Sequence, residues 1–309
     1  MPNILFSARP DAWADYEEPL RTALAEAGVT ATLGPDLPEE AVDYIVYAPN
    51  GPLRDFAPFP RLKAVLSLWA GVETIAGNPS LRVPLARMVD PSLTQGMVEW
   101  VTGHALRHHL GMDAHILAKP GEWQPHTPPV AWERTVTVLG LGALGAACAQ
   151  MLARIGFQVR GWSRRPRDVE GIACHHGDEG LATALHGADI AVLLLPATAA
   201  TENILNAARL ALLAPGAVIL NPGRGTLIDD AALLAALGTG QVGHATLDVF
   251  RVEPLPADHA FWHHPRVTVT PHVAAETRAA SASRCIAENV RRAEAGEPLL
   301  HLVDRGAGY

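Results

Sequence analysis

Thr135 to Arg165 reads TVTVLGLGALGAACAQMLARIGFQVRGWSRR, and the punctuation of this stretch decides the fold. Thr135 to Leu139 is a short apolar run rich in β-branched residues, the pattern of a buried strand. It breaks into Gly140, Gly142 and Gly145, after which Ala146, Ala149, Leu152, Ala153 and Ile155 recur at helical spacing. Strand, glycine turn and helix in that order match the phosphate-binding turn of a dinucleotide site. The first glycine permits a tight turn, the second lets backbone approach a pyrophosphate, and the third allows close helix–strand packing. The helix N-terminus offers N–H donors and a positive dipole end to the phosphates, so Gly140, Gly142, Ala143, Leu144 and Gly145 are read as cofactor-binding.

A second strand, Gln158 to Trp162, ends where an acidic residue ordinarily accepts hydrogen bonds from the adenosine ribose. Ser163, Arg164 and Arg165 stand there instead. Without the carboxylate a 2′-phosphate is not repelled, and guanidinium forks grip it bidentately. These residues predict NADP(H) rather than NAD(H).

The chain around this stretch has 309 residues, enough for a large core and two domains. Hydrophobic residues make up 49% and charged residues 18%, a soluble globular composition, and the net charge of −8 gives no hint of a nucleic-acid surface. Cys148, Cys174 and Cys285 lie far apart without C-x-x-C spacing, which argues against a disulfide framework or a zinc site. MPNILFSARPD has neither a charged n-region nor a long apolar h-region, and the run Ile190 to Leu195 stops at Pro196, so a cytoplasmic enzyme is expected.

Upstream, Asn3 to Phe6, Ala41 to Ala48 and Leu62 to Leu68 read as strands and Tyr16 to Ala27 as an amphipathic helix, predicting a small parallel α/β domain. Trp69, Ala70, Gly71 and Val72 leave a strand's carboxyl end, where open α/β sheets place ligands. Their glycine would leave backbone N–H groups accessible to a carboxylate, and a packed connection fits these residues equally well. From Gln95 to about Ala118 the pattern is helical. His104 and His108 have the i, i+4 spacing that can chelate a metal, but no third ligand stands nearby in sequence, and no metal site is expected. The pairs His175–His176 and His263–His264 are read as turn residues. Lys119 to Glu133, rich in proline and carrying Trp123 and Trp132, reads as a long extended connection with a functional or interfacial role.

Beyond the glycine stretch, helical patterns over Glu179–His186, Ala207–Leu213 and Asp229–Leu237 are interleaved with strands over Ile190–Leu195, Ala217–Leu220, His244–Val249 and Val267–Thr270. Glu276 to Ala295 is a long helical pattern stopped by Gly296 and Pro298. Three residues follow strand ends: Arg224 in NPGRG, Glu253 in DVFRVEP and His272 in TPH. A parallel sheet brings such ends to one edge. Reducing a 2-oxo acid needs a hydride donor, a fixed cation for the carboxylate or carbonyl, and a proton donor for the developing alkoxide. Arg224 can be the cation, His272 the acid–base group, and Glu253 the carboxylate that pairs with the imidazolium and orients it. Each alone reads as well as an ordinary surface residue. Together, downstream of a nucleotide turn, they point to catalysis.

GLGALG, NPGRG, DVFRVEP and TPHVAAETR resemble the signatures of the D-isomer-specific 2-hydroxyacid dehydrogenase family. WSRR, EPLP followed by HHPRVTVTPHVAA, and the VDRGAGY tail resemble its glyoxylate/hydroxypyruvate reductase A branch. The resemblance covers nearly the whole chain and is strongest from Thr135 onward. It implies an α/β fold in which a Rossmann-type doubly wound parallel sheet, residues 97–275, is inserted into a smaller flavodoxin-like substrate domain, residues 1–96 and 276–309. It implies Arg224 for substrate binding and carbonyl polarisation, His272 as proton donor with Glu253 as its partner, and the Trp69, Ala70, Gly71 and Val72 loop as holder of the substrate carboxylate. Leu195, Pro196, Thr201, Pro222, Gly223, Asp248 and His272 would join the cofactor contacts, Asp248 near the nicotinamide amide unless it caps a strand end. The implied enzyme is a homodimer that uses NADPH to reduce glyoxylate to glycolate and hydroxypyruvate to D-glycerate. Trp69 stands where relatives usually have a small residue, so substrate size stays open. A reductase of another 2-oxo acid, or a non-catalytic dinucleotide-sensing protein on the same fold, fits the same residues.

Overall fold

Short aliphatic and β-branched runs pair in parallel throughout the two sheets of the computed structural model, which describes residues 1–306. The end of the VDRGAGY tail, Ala307 to Tyr309, lies outside the described residues. The chain divides into two compact units, residues 1–93 together with the segment from Glu276, and residues 94–275.

The first unit runs β1 (Asn3–Ser7), α1 (Ala12–Glu26), β2 (Thr32–Gly34), β3 (Tyr44–Tyr47), β4 (Ala64–Ser67), α2 (Glu73–Ala76) and β5 (Leu85–Ala86). Its sheet order is β2-β1-β3-β4-β5, the flavodoxin-like arrangement. Both faces of the sheet are covered by apolar clusters, so the central strands YIVY and AVLS are buried along their whole length.

The second unit begins within α3 (Pro91–His109) and continues with α4 (Met112–Ile116), β6 (Thr135–Leu139), α5 (Ala143–Ile155), β7 (Gln158–Ser163) and β8 (Ala173–His176). It then runs α6 (Gly177–Leu185), β9 (Ile190–Leu193), α7 (Ala207–Leu210), β10 (Ala217–Asn221), α8 (Asp230–Thr239), β11 (Val242–Leu247), α9 (Ala260–His263) and β12 (Val267–Val269). The sheet order β12-β11-β10-β9-β6-β7-β8 is the doubly wound dinucleotide order with one strand added beyond β11. The winding reverses between β6 and β9, and an open α/β sheet places its ligand at that switch point, outside the carboxyl ends of the strands. Leu139, Leu193, Ile219 and Leu247 fill one face, and Val136, Val138, Ile190, Val192 and Leu220 the other. Each such side chain contributes roughly 1.5–3 kcal/mol through burial, which makes the sheet a rigid platform. A last helix, α10 (Ala279–Glu294), packs on α1 in the first unit.

Three strands carried no sequence signal. β2, β5 and β8 are short edge strands, and an edge strand lacks the two-sided apolar run that marks a central one. His175 and His176 therefore lie on β8, not in a turn, while His263 ends the short helix α9 and His264 caps it. The expected helix from Gln95 to Ala118 starts earlier, at Pro91, because Asp90 Oδ1 accepts the Ser92 N–H at 2.8 Å and proline suits a first helical position. It stops at His109, because Gly111 takes a left-handed φ of 62° that breaks it from α4. Of the expected strand 41–48, Ala41 ends a 3-10 turn that begins at Glu39, and β3 covers only Tyr44–Tyr47.

Candidate active site

The glycine turn joins β6 to α5. Gly140 has φ of 107°, and an added Cβ would lie 2.5 Å from the Leu194 carbonyl oxygen. At Gly145 the same atom would fall 1.7 Å from the Gly140 oxygen, so helix and strand approach as closely as backbone allows. Gly142 differs, since a Cβ there would meet no protein atom within 4 Å. Gly142 and Ala143 are exposed, and no side chain caps α5. The first-turn N–H groups thus face an open cradle that suits a pyrophosphate. Leu195 is buried beneath, and Thr201 donates its hydroxyl to the Pro196 carbonyl at 2.7 Å, pinning the loop after β9.

Ser163 ends β7, and its hydroxyl donates to the Arg165 carbonyl at 2.8 Å, turning the chain so that Arg164 and Arg165 are exposed just beyond the strand. No carboxylate stands at that strand end. The arrangement fits the phosphate-bearing ribose of NADP(H).

Arg224, Glu253 and His272 follow β10, β11 and β12, three neighbouring strands, so all three lie at the carboxyl edge of one sheet. The His272 Nδ1 and Glu253 Oε2 atoms are 2.7 Å apart. The other Glu253 oxygen accepts the Phe250 N–H at 2.8 Å, which fixes the carboxylate from behind. His272 has φ of 54°, a sparsely populated region for a residue with a Cβ. Its N–H donates to the carbonyls of Asp248 at 2.9 Å and Thr270 at 3.0 Å, so the loop over-determines that conformation. Arg224 sits on a loop braced by Asn221, whose Nδ2 donates to the Arg224 carbonyl at 3.0 Å and whose Oδ1 accepts the Gly223 N–H at 3.2 Å. A Cβ on Gly225 would lie 2.0 Å from the Phe250 carbonyl carbon. The Arg224 loop therefore packs directly on the segment that carries Glu253. Pro222 and Gly223 are buried beneath it.

Asp248 makes the contacts of a strand-end cap, the reading that the sequence left open beside a role at the nicotinamide amide. It has no exposed surface, and its carboxylate accepts the Thr270 hydroxyl at 2.5 Å and the N–H groups of Val273 and Ala274, both at 2.9 Å. It is the strand-end cap that holds the His272 loop. Trp69 is 43% exposed, and its N–H donates to Ser67 Oγ at 3.0 Å, while Ala70, Gly71 and Val72 continue the chain into α2.

Two positioning residues escaped the sequence reading. Asn221 was legible in principle, because Asn ahead of Pro-Gly signals a side-chain-braced turn. Arg251 was not, since its partners are distant in sequence: its guanidinium donates to the Ile228 carbonyl at 2.6 Å and faces Asp230 at 3.7 Å, tying the Glu253 segment to α8. A third histidine joins the His104–His108 pair of α3. His108 lies against His244 of β11, with ring centroids 4.6 Å apart. Burial, aided by His244 and Arg107, pushes His108 down to about 3, and burial, aided by Arg107, His264 and Arg266, pushes His244 down to about 4, so both are neutral imidazoles at physiological pH.

Residues 103–274 match the family model described as D-isomer specific 2-hydroxyacid dehydrogenase, NAD binding domain. The chain is 42% identical over 257 residues to a glyoxylate/hydroxypyruvate reductase A of Serratia proteamaculans (strain 568), covering 81% of this chain and 82% of that one. A D-isomer specific 2-hydroxyacid dehydrogenase from Xanthobacter autotrophicus Py2, solved in complex with NADPH and MES, superposes with a TM-score of 0.93 at 41% identity, covering 100% of this chain and 99% of that one. An NADPH-dependent glyoxylate/hydroxypyruvate reductase from Sinorhizobium meliloti, in complex with NADP and sulfate, has a TM-score of 0.88 at 37% identity with full coverage of both chains. With a family-specific match over more than half its length and relatives this similar, the chain belongs to the D-isomer specific 2-hydroxyacid dehydrogenase family.

Proposed function

We propose that this protein catalyses the NADPH-dependent reduction of small 2-oxo acids, glyoxylate to glycolate and hydroxypyruvate to D-glycerate. The observation that carries the reading is the 2.7 Å contact between His272 Nδ1 and Glu253 Oε2, at the edge of the sheet that also bears the glycine turn. The similar proteins named for these substrates, and those solved with NADPH or NADP, support it.

Gly140, Gly142, Ala143, Leu144 and Gly145 would hold the pyrophosphate, Ser163, Arg164 and Arg165 the 2′-phosphate, and Leu195, Pro196, Thr201, Pro222 and Gly223 the remainder of the dinucleotide. When bound, the dinucleotide supplies the hydride. Arg224 holds the substrate's planar oxyanion with its guanidinium fork and polarises its carbonyl. His272 gives a proton to the carbonyl oxygen as negative charge develops there. Glu253 fixes the ring through Nδ1, leaving Nε2 as the donor, and stabilises the imidazolium. The backbone of Trp69, Ala70, Gly71 and Val72 is the proposed anchor for the substrate carboxylate. The first unit is accordingly the proposed substrate domain.

Initial rates with glyoxylate and hydroxypyruvate, each with NADPH and NADH, test the assignment. Turnover of both acids with a higher kcat/KM for NADPH is expected, and His272→Gln should lower kcat by about 100-fold or more. No turnover, a preference for NADH, or an unimpaired His272→Gln variant would overturn it.

The same proposal includes a homodimer. It rests on the segment after α3, where Ile116, Leu117, Trp123 and Trp132 are all strongly exposed; apolar and aromatic surface of this kind marks protein interfaces. Light scattering coupled to gel filtration should give twice the chain mass, and a monomer would refute it. Cytoplasmic placement is also proposed, on the strength of three cysteines without a disulfide. Among the described residues, no helix is long and apolar enough to cross a membrane.

A further inference from the structure

His108 at the end of α3, Asp113 in α4 and His244 on β11 each bring one ligand-type atom within 4.8 Å of the others. They come from three elements, all half-buried. The Nε2 atom of His108 lies 2.9 Å from Thr246 Oγ1, and that of His244 lies 2.9 Å from Thr268 Oγ1. Each hydroxyl thereby orients its ring and leaves Nδ1 as the nitrogen for another partner. Arg107 grips Asp113 with Nε on one oxygen at 2.7 Å and Nη2 on the other at 2.8 Å. That fork uses one lone pair of each oxygen, and a carboxylate has about four.

We propose that His108, Asp113 and His244 form a binding site for a divalent cation of the zinc class, separate from the catalytic edge. Two imidazoles select a borderline transition-metal ion over magnesium or calcium, which take oxygen ligands. In a tetrahedral site with bonds of about 2.0–2.1 Å, ligand atoms lie about 3.4 Å apart. Atoms already within 4.8 Å of one another close that gap by small side-chain rotations. The outer contacts are those a metal site needs: a hydroxyl partner for the far nitrogen of each histidine and a clamp on the carboxylate. Three protein ligands leave a fourth position for water. The Arg107 charge opposes the cation, so the site is exchangeable rather than a permanent structural centre. An ion held there ties α3, α4 and β11 together at the root of the exposed 110–130 segment.

Chelator-stripped full-length protein titrated calorimetrically with Zn2+ alone tests this, alongside His244→Gln, His108→Gln and Asp113→Asn. Reversible binding of one Zn2+ per chain is expected, and Thr246→Val should weaken it by about 10-fold or more, as loss of an outer-shell partner does. Each ligand variant should weaken it further still. Zn2+ should raise the melting temperature of the wild type in proportion to the logarithm of its concentration, and leave the ligand variants unmoved. Circular dichroism of each variant without metal separates lost binding from lost folding, and any one of the three that folds decides the question. Co2+ in place of Zn2+ should give visible absorption bands that His244→Gln abolishes. Absence of stoichiometric binding to the wild type, or equal binding by the folded ligand variants, would overturn the proposal.

Discussion

Asp248→Asn separates two readings of one buried carboxylate. Asp248 Oδ1 accepts from the Thr270 hydroxyl and the Val273 N–H, and Oδ2 accepts the Ala274 N–H at 2.9 Å. Asparagine keeps the shape but has one acceptor. With its oxygen on Thr270 and Val273, its amide nitrogen meets the Ala274 N–H donor to donor. Ala274 is 4% exposed and Asp248 wholly buried, so water cannot restore either bond. Two buried donors are left without acceptors, at about 1–3 kcal/mol each, giving an expected loss of about 2–6 kcal/mol. That is a large fraction of the total stability of a domain. Because the same carboxylate anchors the loop that holds His272 in its left-handed conformation, kcat should fall as well. Urea unfolding measured alongside steady-state kinetics checks both. Thr270→Val removes only one partner and should cost about 1 kcal/mol, with a coupling to Asp248→Asn in a double-mutant cycle. An unfolding free energy equal to that of the parent, with only the KM for NADPH raised, would refute the cap and return Asp248 to the cofactor.

Gly145→Ala should prevent folding or severely destabilise the second unit, because its Cβ meets backbone at 1.7 Å, whereas Gly142→Ala should fold normally and lose cofactor affinity; fluorescence titration of NADPH against thermal melts distinguishes them. Arg164→Ala should raise the KM for NADPH by about 10- to 100-fold, the loss of charge-assisted bonds of roughly 1.5–3 kcal/mol, and barely change that for NADH; equal effects in steady-state assays would remove the 2′-phosphate contact. Burial, reinforced by the charges of Asp90 and Asp15, pushes the Tyr16 hydroxyl up to about 12. The unfolded chain releases that proton first, so this stabilising contribution is intact below about pH 10 and is lost as pH rises toward 12. Tyr16→Phe should flatten the fall in unfolding free energy by somewhat less than the limiting ~1.4 kcal/mol per pH unit, since the ring keeps some solvent contact, and an unchanged slope would contradict the burial argument.

The sequence by itself determined the parts whose physics is local. A β-branched run, three glycines and an apolar helical repeat can form only the tight strand–turn–helix that Gly140 and Gly145 now occupy without room for a side chain. A missing carboxylate and two arginines after β7 are likewise readable without coordinates. Arg224, Glu253 and His272 were legible as strand-end residues, since a parallel sheet must align such ends. Edge strands such as β8 were not, because exposure erases the apolar signal. The tertiary structure decided what depends on contacts between residues far apart in the chain: that Asp248 faces Thr270 and the 273–274 backbone, that Arg251 reaches α8, and that His108 meets His244. Spacing along a chain encodes neighbours within one helix or strand, whereas the register between strands and the docking of a helix on a sheet come from packing the whole core.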